Sequence, residues 1–336
     1  MERSGEETPI LRIDGLRVTF ATDDGPAVAV DGLSFDVYPG ETVGIVGESG
    51  SGKSATAMAV LGLLPDTATV GGSIGFGGRE LVGAPEPELR TIRGNRIAMV
   101  FQDALAALNP AHTVGRQLME AIRVHDRSVE KAALRARAVE LLETVGIPSA
   151  QQRVDQYPHE FSGGMRQRVM IAMSIANDPD VIIADEPTTA LDVTVQAQVL
   201  EVLQEVQART RAAVLLITHD LGVVAGLADR VVVMYAGAKV EEAAVDPLFE
   251  LPSHPYTQGL LQSLPRLDDD GGDGRLRYIP GRPPNPAALP SGCRFLPRCP
   301  HALAGVCDSD PLPLETVAAG HVAACARIEA AREGWS

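Results

Sequence analysis

The run Gly47-Glu48-Ser49-Gly50-Ser51-Gly52-Lys53-Ser54 constrains this chain more than any other feature. It fits G-x-x-x-x-G-K-[ST], with the apolar TVGIV before it and the helix-prone SATAMAV after it. In a strand–loop–helix layout the glycines let successive backbone N–H groups turn inward around an anion. The following helix adds the positive end of its dipole. In that arrangement Gly47, Ser49, Gly50, Ser51 and Gly52 cradle a phosphate chain. Lys53 reaches its terminal groups, and the Ser54 hydroxyl ligates Mg²⁺. The competing reading is a glycine-rich turn beside an incidental lysine. It is weakened by scarcity, because Lys53, Lys131 and Lys239 are the only lysines among 29 basic residues.

The rest of the chain up to about residue 250 alternates short β-rich runs with helical stretches, the pattern of a layered α/β domain. Strands are expected over 42–46, 97–101, 181–184, 214–218 and 231–235. Helices are expected over 52–64, 130–145, 163–176, 194–209 and 221–228, the first stopped by Pro65. With 336 residues and a formal charge of −15, the chain is large enough for a substantial core. Its charge argues against gripping a nucleic-acid backbone. No apolar run approaches the roughly 20 residues of a membrane span. The opening MERSGEETPI lacks the regions of a signal peptide, so a cytosolic location is expected.

Composition shifts after Leu251. An acidic run, Asp268-Asp269-Asp270-Gly271-Gly272-Asp273, precedes the proline-rich Gly281-Arg282-Pro283-Pro284-Asn285-Pro286, and 265–292 reads as a linker or wrapping arm. The expected organisation is therefore a domain over 1–250 and an extension over 251–336.

Three further segments carry chemistry. Val181-Ile182-Ile183-Ala184-Asp185-Glu186 is an apolar strand ending in two carboxylates, suited to deliver Asp185 to a metal and Glu186 to an attacking water. By itself it is equally a buried strand meeting an acidic turn. His219 ends a neighbouring strand, where a γ-phosphate contact competes with a structural role. Phe161-Ser162-Gly163-Gly164-Met165-Arg166-Gln167 opens a helix with a hydroxyl and exposed N–H groups. That is either an anion site or an ordinary cap.

Taken together, these segments resemble the ATP-binding subunits of ABC transporters over about residues 10–250. The resemblance implies a P-loop NTPase fold with a helical subdomain over about 103–165. It makes 47–54 the Walker A loop and Gln102, in Val100-Phe101-Gln102-Asp103, the Q-loop glutamine and a Mg²⁺ ligand. Ser162, Gly163 and Gly164 become the signature, and Asp185 the Walker B metal ligand. Glu186 becomes the catalytic base, Ala190-Leu191-Asp192 the D-loop and His219 the switch histidine. Phe20 falls where an aromatic ring stacks on adenine, against the alternative of a strand core residue. Ala104 departs from the proline usual in relatives.

The segments HEFSGGMRQRVMIAMSIANDP, TTALDVTVQAQ, HPYTQGLL, IPGRPPNP and GCRFLPRCP are similar to the oligopeptide/dipeptide importer subfamily. That likeness implies ATP hydrolysis coupled to peptide uptake at the cytoplasmic face of the membrane. Its implied partners are a second ATPase subunit (identical or homologous), two permease subunits and an extracytoplasmic substrate-binding protein. ATP would lie between the Walker face of one subunit and the signature of the other.

All four cysteines lie in the extension, Cys293, Cys299, Cys307 and Cys325, with spacing C-x5-C-x7-C-x17-C. A structural zinc site usually shows a tight C-x2-C pair, which is missing. Four thiolates on a loop-rich segment suit a 4Fe-4S cluster, which the importer likeness also implies; zinc and free thiols are the alternatives. His301 and His321 are read as surface imidazoles rather than ligands. A soluble ABC ATPase acting on DNA or ribosomes is the competing class. Gln102 and Ser162 lie too close for a long coiled-coil insertion, and only one Walker A loop is present. A nickel or small-solute importer is the competing cargo reading.

Overall fold

The computed structural model describes residues 8–23, 25–189, 191–264, 278–309 and 312–335. The acidic run 268–273, read above as part of a linker, and Ala190 of the D-loop lie outside them. The chain packs as two compact units, each drawn from separate stretches of sequence. One comprises Met1–Leu11, Asp36–Thr42 and Gly75–Ile217, the other Arg12–Phe35, Val43–Ile74 and Thr218–Ser336.

In the first unit three parallel strands, Ile97–Val100, Val181–Asp185 and Ala213–Thr218, form the frame. Val181–Asp185 lies in the middle, with Ile183 opposite Met99 on one side and Leu215 on the other. Every residue of Val181–Asp185 and Ala213–Thr218 is buried, which explains their unbroken apolar runs: a parallel strand is covered on both faces. Helices Val114–Arg123, Lys131–Thr144, Gly163–Ser174 and Val193–Thr210 belong to the same unit. The first was not foreseen; Thr113 caps it, accepting from the Arg116 N–H at 3.3 Å.

The second unit carries the phosphate loop. Strand Thr42–Val46 runs parallel to Arg230–Tyr235, with Ile45 opposite Val232. Antiparallel strands Ala238–Ala244, His321–Ala323 and Glu315–Ala318 continue from there. A second sheet runs in the order Gly25–Val37, Leu11–Thr22, Ala68–Phe76. One hydrophobic cluster joins Val46 and Tyr235 to residues of the extension, Tyr256, Leu261 and Phe295. Rings of Tyr235 and Tyr256 stand 4.6 Å apart, and Tyr235 and Phe295 meet edge to face at 5.2 Å.

Two expectations are corrected. The first helix ends at Val60, well before Pro65. Gly62, at φ 59°, reverses the chain. The Leu63 N–H then bonds to the Met58 carbonyl at 2.9 Å and the Gly62 N–H to that of Ala59 at 3.0 Å, a glycine stop rather than a proline one. His321 is not at the surface. It is 3% exposed, and its Nε2 lies 2.7 Å from Oε1 of Glu241, itself fully buried. That carboxylate also accepts from the Ser253 and His254 N–H groups at 2.6 and 3.0 Å, and so pins the start of helix Pro255–Gln262.

His254 itself is buried, and its Nδ1 accepts from the Tyr256 N–H at 3.1 Å. Burial pushes its imidazole down to about 4, against the opposing pull of Glu241. The unfolded chain therefore binds more protons at this site below the ordinary pKa of 6.5. Stability from neutral His254 is complete above that pH and drains away as pH falls toward 4. Between pH 7.5 and 5 the loss should be about 2 kcal/mol. His254→Asn, which keeps an acceptor but does not titrate, should lose correspondingly less in urea titrations at the two pH values. Equal losses in both proteins would exclude His254 as the group.

Candidate nucleotide-binding site

The loop that follows strand Thr42–Val46 is closed by steric necessity. A Cβ on Gly47 would stand 2.2 Å from the Met234 carbonyl oxygen. At Gly52, with φ +100°, a Cβ would stand 2.3 Å from that of Ala29. Helix Lys53–Val60 starts at once, so its first turn directly follows the loop. Lys53 is 5% exposed, and its ammonium donates to the Gly47 carbonyl at 2.7 Å and the Glu48 carbonyl at 3.0 Å. Ser54 is exposed on the first turn, where a cation can reach it. Ser51 Oγ is buried and has no hydrogen-bond partner among the described residues, which a phosphate oxygen would supply. The donor set therefore fits an anionic ligand.

The same unit holds His219 and Phe20. His219 is exposed directly after strand Ala213–Thr218. Asp220 beside it caps helix Leu221–Leu227, accepting from the Gly222 N–H at 2.8 Å. Phe20 lies in strand Leu11–Thr22, half-buried and outside the buried core.

The other unit brings Gln102 and Glu186 together. Asp185 closes the central strand and is buried. Glu186, one residue on, has φ +47°, a left-handed backbone that a non-glycine residue adopts only when its surroundings impose it. Its N–H donates to the Ile217 carbonyl at 2.8 Å. Its Oε2 accepts from Gln102 Nε2 at 3.1 Å and from Thr189 Oγ1 at 2.8 Å. Thr189 was not singled out in the sequence; its position three residues after Glu186 was the available signal.

Signature and D-loop meet at Val195. Ser162 caps helix Gly163–Ser174 through a long bond from the Met165 N–H, 3.4 Å, and Ser162 and Gly163 are exposed. Gly164 is buried; a Cβ there would stand 2.3 Å from Val195 Cγ1. Asp192 caps helix Val193–Thr210 by accepting from the Val195 N–H at 3.0 Å.

In the extension the four cysteines are free thiols lining one cavity of about 10 Å³, with His254 and His301 on its wall. Among the described residues no three His, Cys, Asp or Glu side chains are arranged to hold a metal ion. The iron–sulfur and zinc expectations therefore find no preformed metal-holding group among the described residues. Burial pushes three of these thiols up, Cys299 to about 11, Cys325 to about 12, and Cys293 in the same direction.

Comparison with known proteins places this geometry in a class. Residues 30–189 match the ABC transporter family, and 240–307 match the oligopeptide/dipeptide transporter C-terminal region. The chain is 26% identical to the dimeric ATP-binding cassette MJ0796 in a post-hydrolysis state bound to ADP and Pi. The TM-score is 0.63, over 70% of this chain and 98% of that one. The chain belongs to the ABC transporter ATPase family. Within it, the chain is 52% identical to the oligopeptide transport ATP-binding protein OppD of Salmonella typhimurium, over 94% of this chain and 93% of that protein. Identity to OppD of Escherichia coli is 51%, covering 94% and 92%. It is 55% identical to OppD of Mycobacterium tuberculosis over 96% of this chain and 52% of that longer protein. Among the described residues no helix is long and apolar enough to cross a membrane.

Gly52→Ala should fold yet bind ATP more weakly, on the order of tenfold or more, since its loop must shift to clear the Ala29 carbonyl. Titration with a fluorescent ATP analogue measures this; unchanged affinity would show that the loop tolerates the Cβ.

Proposed function

We propose that this chain is the ATP-hydrolysing subunit of an importer for oligopeptides or dipeptides. The observation that carries the cargo reading is the match of residues 240–307 to the oligopeptide/dipeptide transporter C-terminal region. It sits beside near-full-length likeness to OppD. Functionally, 1–250 is the ATPase domain, with its helical subdomain at about 103–165, and 251–336 the extension.

In this reading the loop 47–54 and Lys53 bind the phosphates, with Phe20 against adenine. Ser54, Asp185 and Gln102 would hold Mg²⁺, which when bound offsets charge on the phosphates. Glu186 takes the proton of the attacking water, and His219 contacts the γ-phosphate. Ser162, Gly163, Gly164 and Asp192 serve the nucleotide of a second ATPase subunit, through the exposed helix end and the adjoining loop. Because Gln102 donates to Glu186, displacement of the Q-loop by a permease subunit would move the base's hydrogen-bond partner. That gives transport a physical route to hydrolysis. The partners are two permease subunits and a substrate-binding protein, at the cytoplasmic face of the membrane; the acidic balance speaks against nucleic acid.

For the extension, the reading carried forward is a 4Fe-4S cluster on Cys293, Cys299, Cys307 and Cys325, with zinc as the alternative. Its support is that all four thiols line one cavity. Anaerobically purified protein should be brown, with broad visible absorbance. Colourless protein with stoichiometric zinc would replace the cluster by zinc, and metal-free protein would leave free thiols.

Co-purification with the permease subunits, followed by ATPase assays with peptides and their binding protein, tests the cargo. Peptide should stimulate turnover; stimulation by nickel instead would overturn it. Glu186→Gln should retain ATP in a closed dimer and lose turnover by a factor on the order of a hundred or more. Unchanged turnover would remove Glu186 as the base.

A further inference from the structure

Glu48, the second residue of the phosphate loop, is gripped by the extension on two sides. Its N–H donates to the Tyr256 hydroxyl at 2.8 Å. Its carboxylate takes both arms of Arg298, Nη1 to Oε2 at 2.8 Å and Nη2 to Oε1 at 3.0 Å. The Arg298 side chain is 5% exposed and packs against the Tyr235 and Phe295 rings. It also donates to the Pro280 carbonyl from Nε at 2.9 Å and to the Tyr235 hydroxyl at 3.2 Å. Arg294, four residues earlier, donates to the Ala236 carbonyl at 2.6 Å and pairs with Asp31. The next residue, Gly237, donates its N–H to the Ser51 carbonyl of the loop at 3.0 Å. The turn 293–299 thus reaches both flanks of the phosphate loop, directly at Glu48 and through Gly237 at Ser51.

We propose that Arg298 is a positioning residue for ATP, and that the turn carrying it is a clamp that holds the phosphate loop ready for the nucleotide. Two physical effects support this. The Glu48 carbonyl is one of the two acceptors that hold Lys53, so fixing Glu48 by its side chain and its N–H fixes where the ammonium rests. A loop already ordered loses less freedom when ligand arrives. The guanidinium also neutralises a carboxylate that would otherwise stand beside a polyanion, and a bidentate charged pair does so in one geometry. The inference rests on the reading of 47–54 as the ATP phosphate loop.

The test uses the full-length subunit. Arg298→Gln should raise the KM and Kd for ATP about tenfold while kcat changes far less, because the clamp acts on binding and not on Glu186. The double variant Arg298→Gln with Glu48→Gln should bind ATP more tightly than Arg298→Gln alone, since it removes the stranded carboxylate. Arg298→Lys should fall between wild type and Arg298→Gln, keeping the charge but losing the fork. Should Arg298→Gln be too unstable to assay, Arg298→Lys and Glu48→Gln carry the comparison, each with raised KM. A lowered melting temperature with unchanged KM across the series would make the pair merely structural and overturn the proposal. So would a double variant weaker than both singles by the product of their effects. Wild-type protein that binds ATP no better than Lys53→Ala would instead bring down the phosphate-loop reading, and the clamp with it.

Discussion

Burying the Lys53 ammonium is the demand around which the nucleotide-binding half of this protein is organised. A charge removed from water must be surrounded by oxygen, and here the Gly47 and Glu48 carbonyls supply part of it. Those carbonyls point inward only because the loop is wound tightly, and tight winding requires glycine where the Met234 and Ala29 carbonyls press in. The strand before the loop fixes one end by parallel pairing, and the helix begun by Lys53 fixes the other. What remains adjustable is Glu48, and the extension takes hold of it.

The other half meets a comparable demand by a different device. Glu186 sits in a left-handed backbone that costs of order 1–3 kcal/mol. That conformation lets its N–H reach the Ile217 carbonyl of the next strand while its carboxylate takes Gln102 and Thr189. A carboxylate one residue past a buried strand end would ordinarily turn with the chain to solvent. Here local strain holds a candidate base in place.

What could be read from sequence follows from how far each interaction reaches along the chain. The strands around 42–46 and 181–185 are local events, written in unbroken apolar runs, and the glycine loop is written in eight consecutive residues. The first helix was overrun because Gly62 has no unique meaning in sequence, whereas Pro65 is a loud breaker that proved unnecessary. His321 was misplaced because a histidine's letter does not reveal Glu241, eighty residues away, as its buried partner. The pairing of Glu48 with Arg298 spans 250 positions and had no local signal at all. Gly164 was read from sequence as part of a candidate anion-binding helix end or an ordinary cap, and neither reading signalled its close approach to Val195.

The cluster that joins Val46 and Tyr235 to Tyr256 and Phe295 bears on how such proteins can be recombined. An extension sharing its core with the strand beneath the phosphate loop is not a detachable module. Chimeras joined near residue 250 would set one protein's aromatic rings against another's, and one protein's residue 48 against another's residue 298. Exchange between branches of the family is therefore constrained to move the loop, Tyr235 and the turn 293–299 as a set, so these distant stretches would be inherited together.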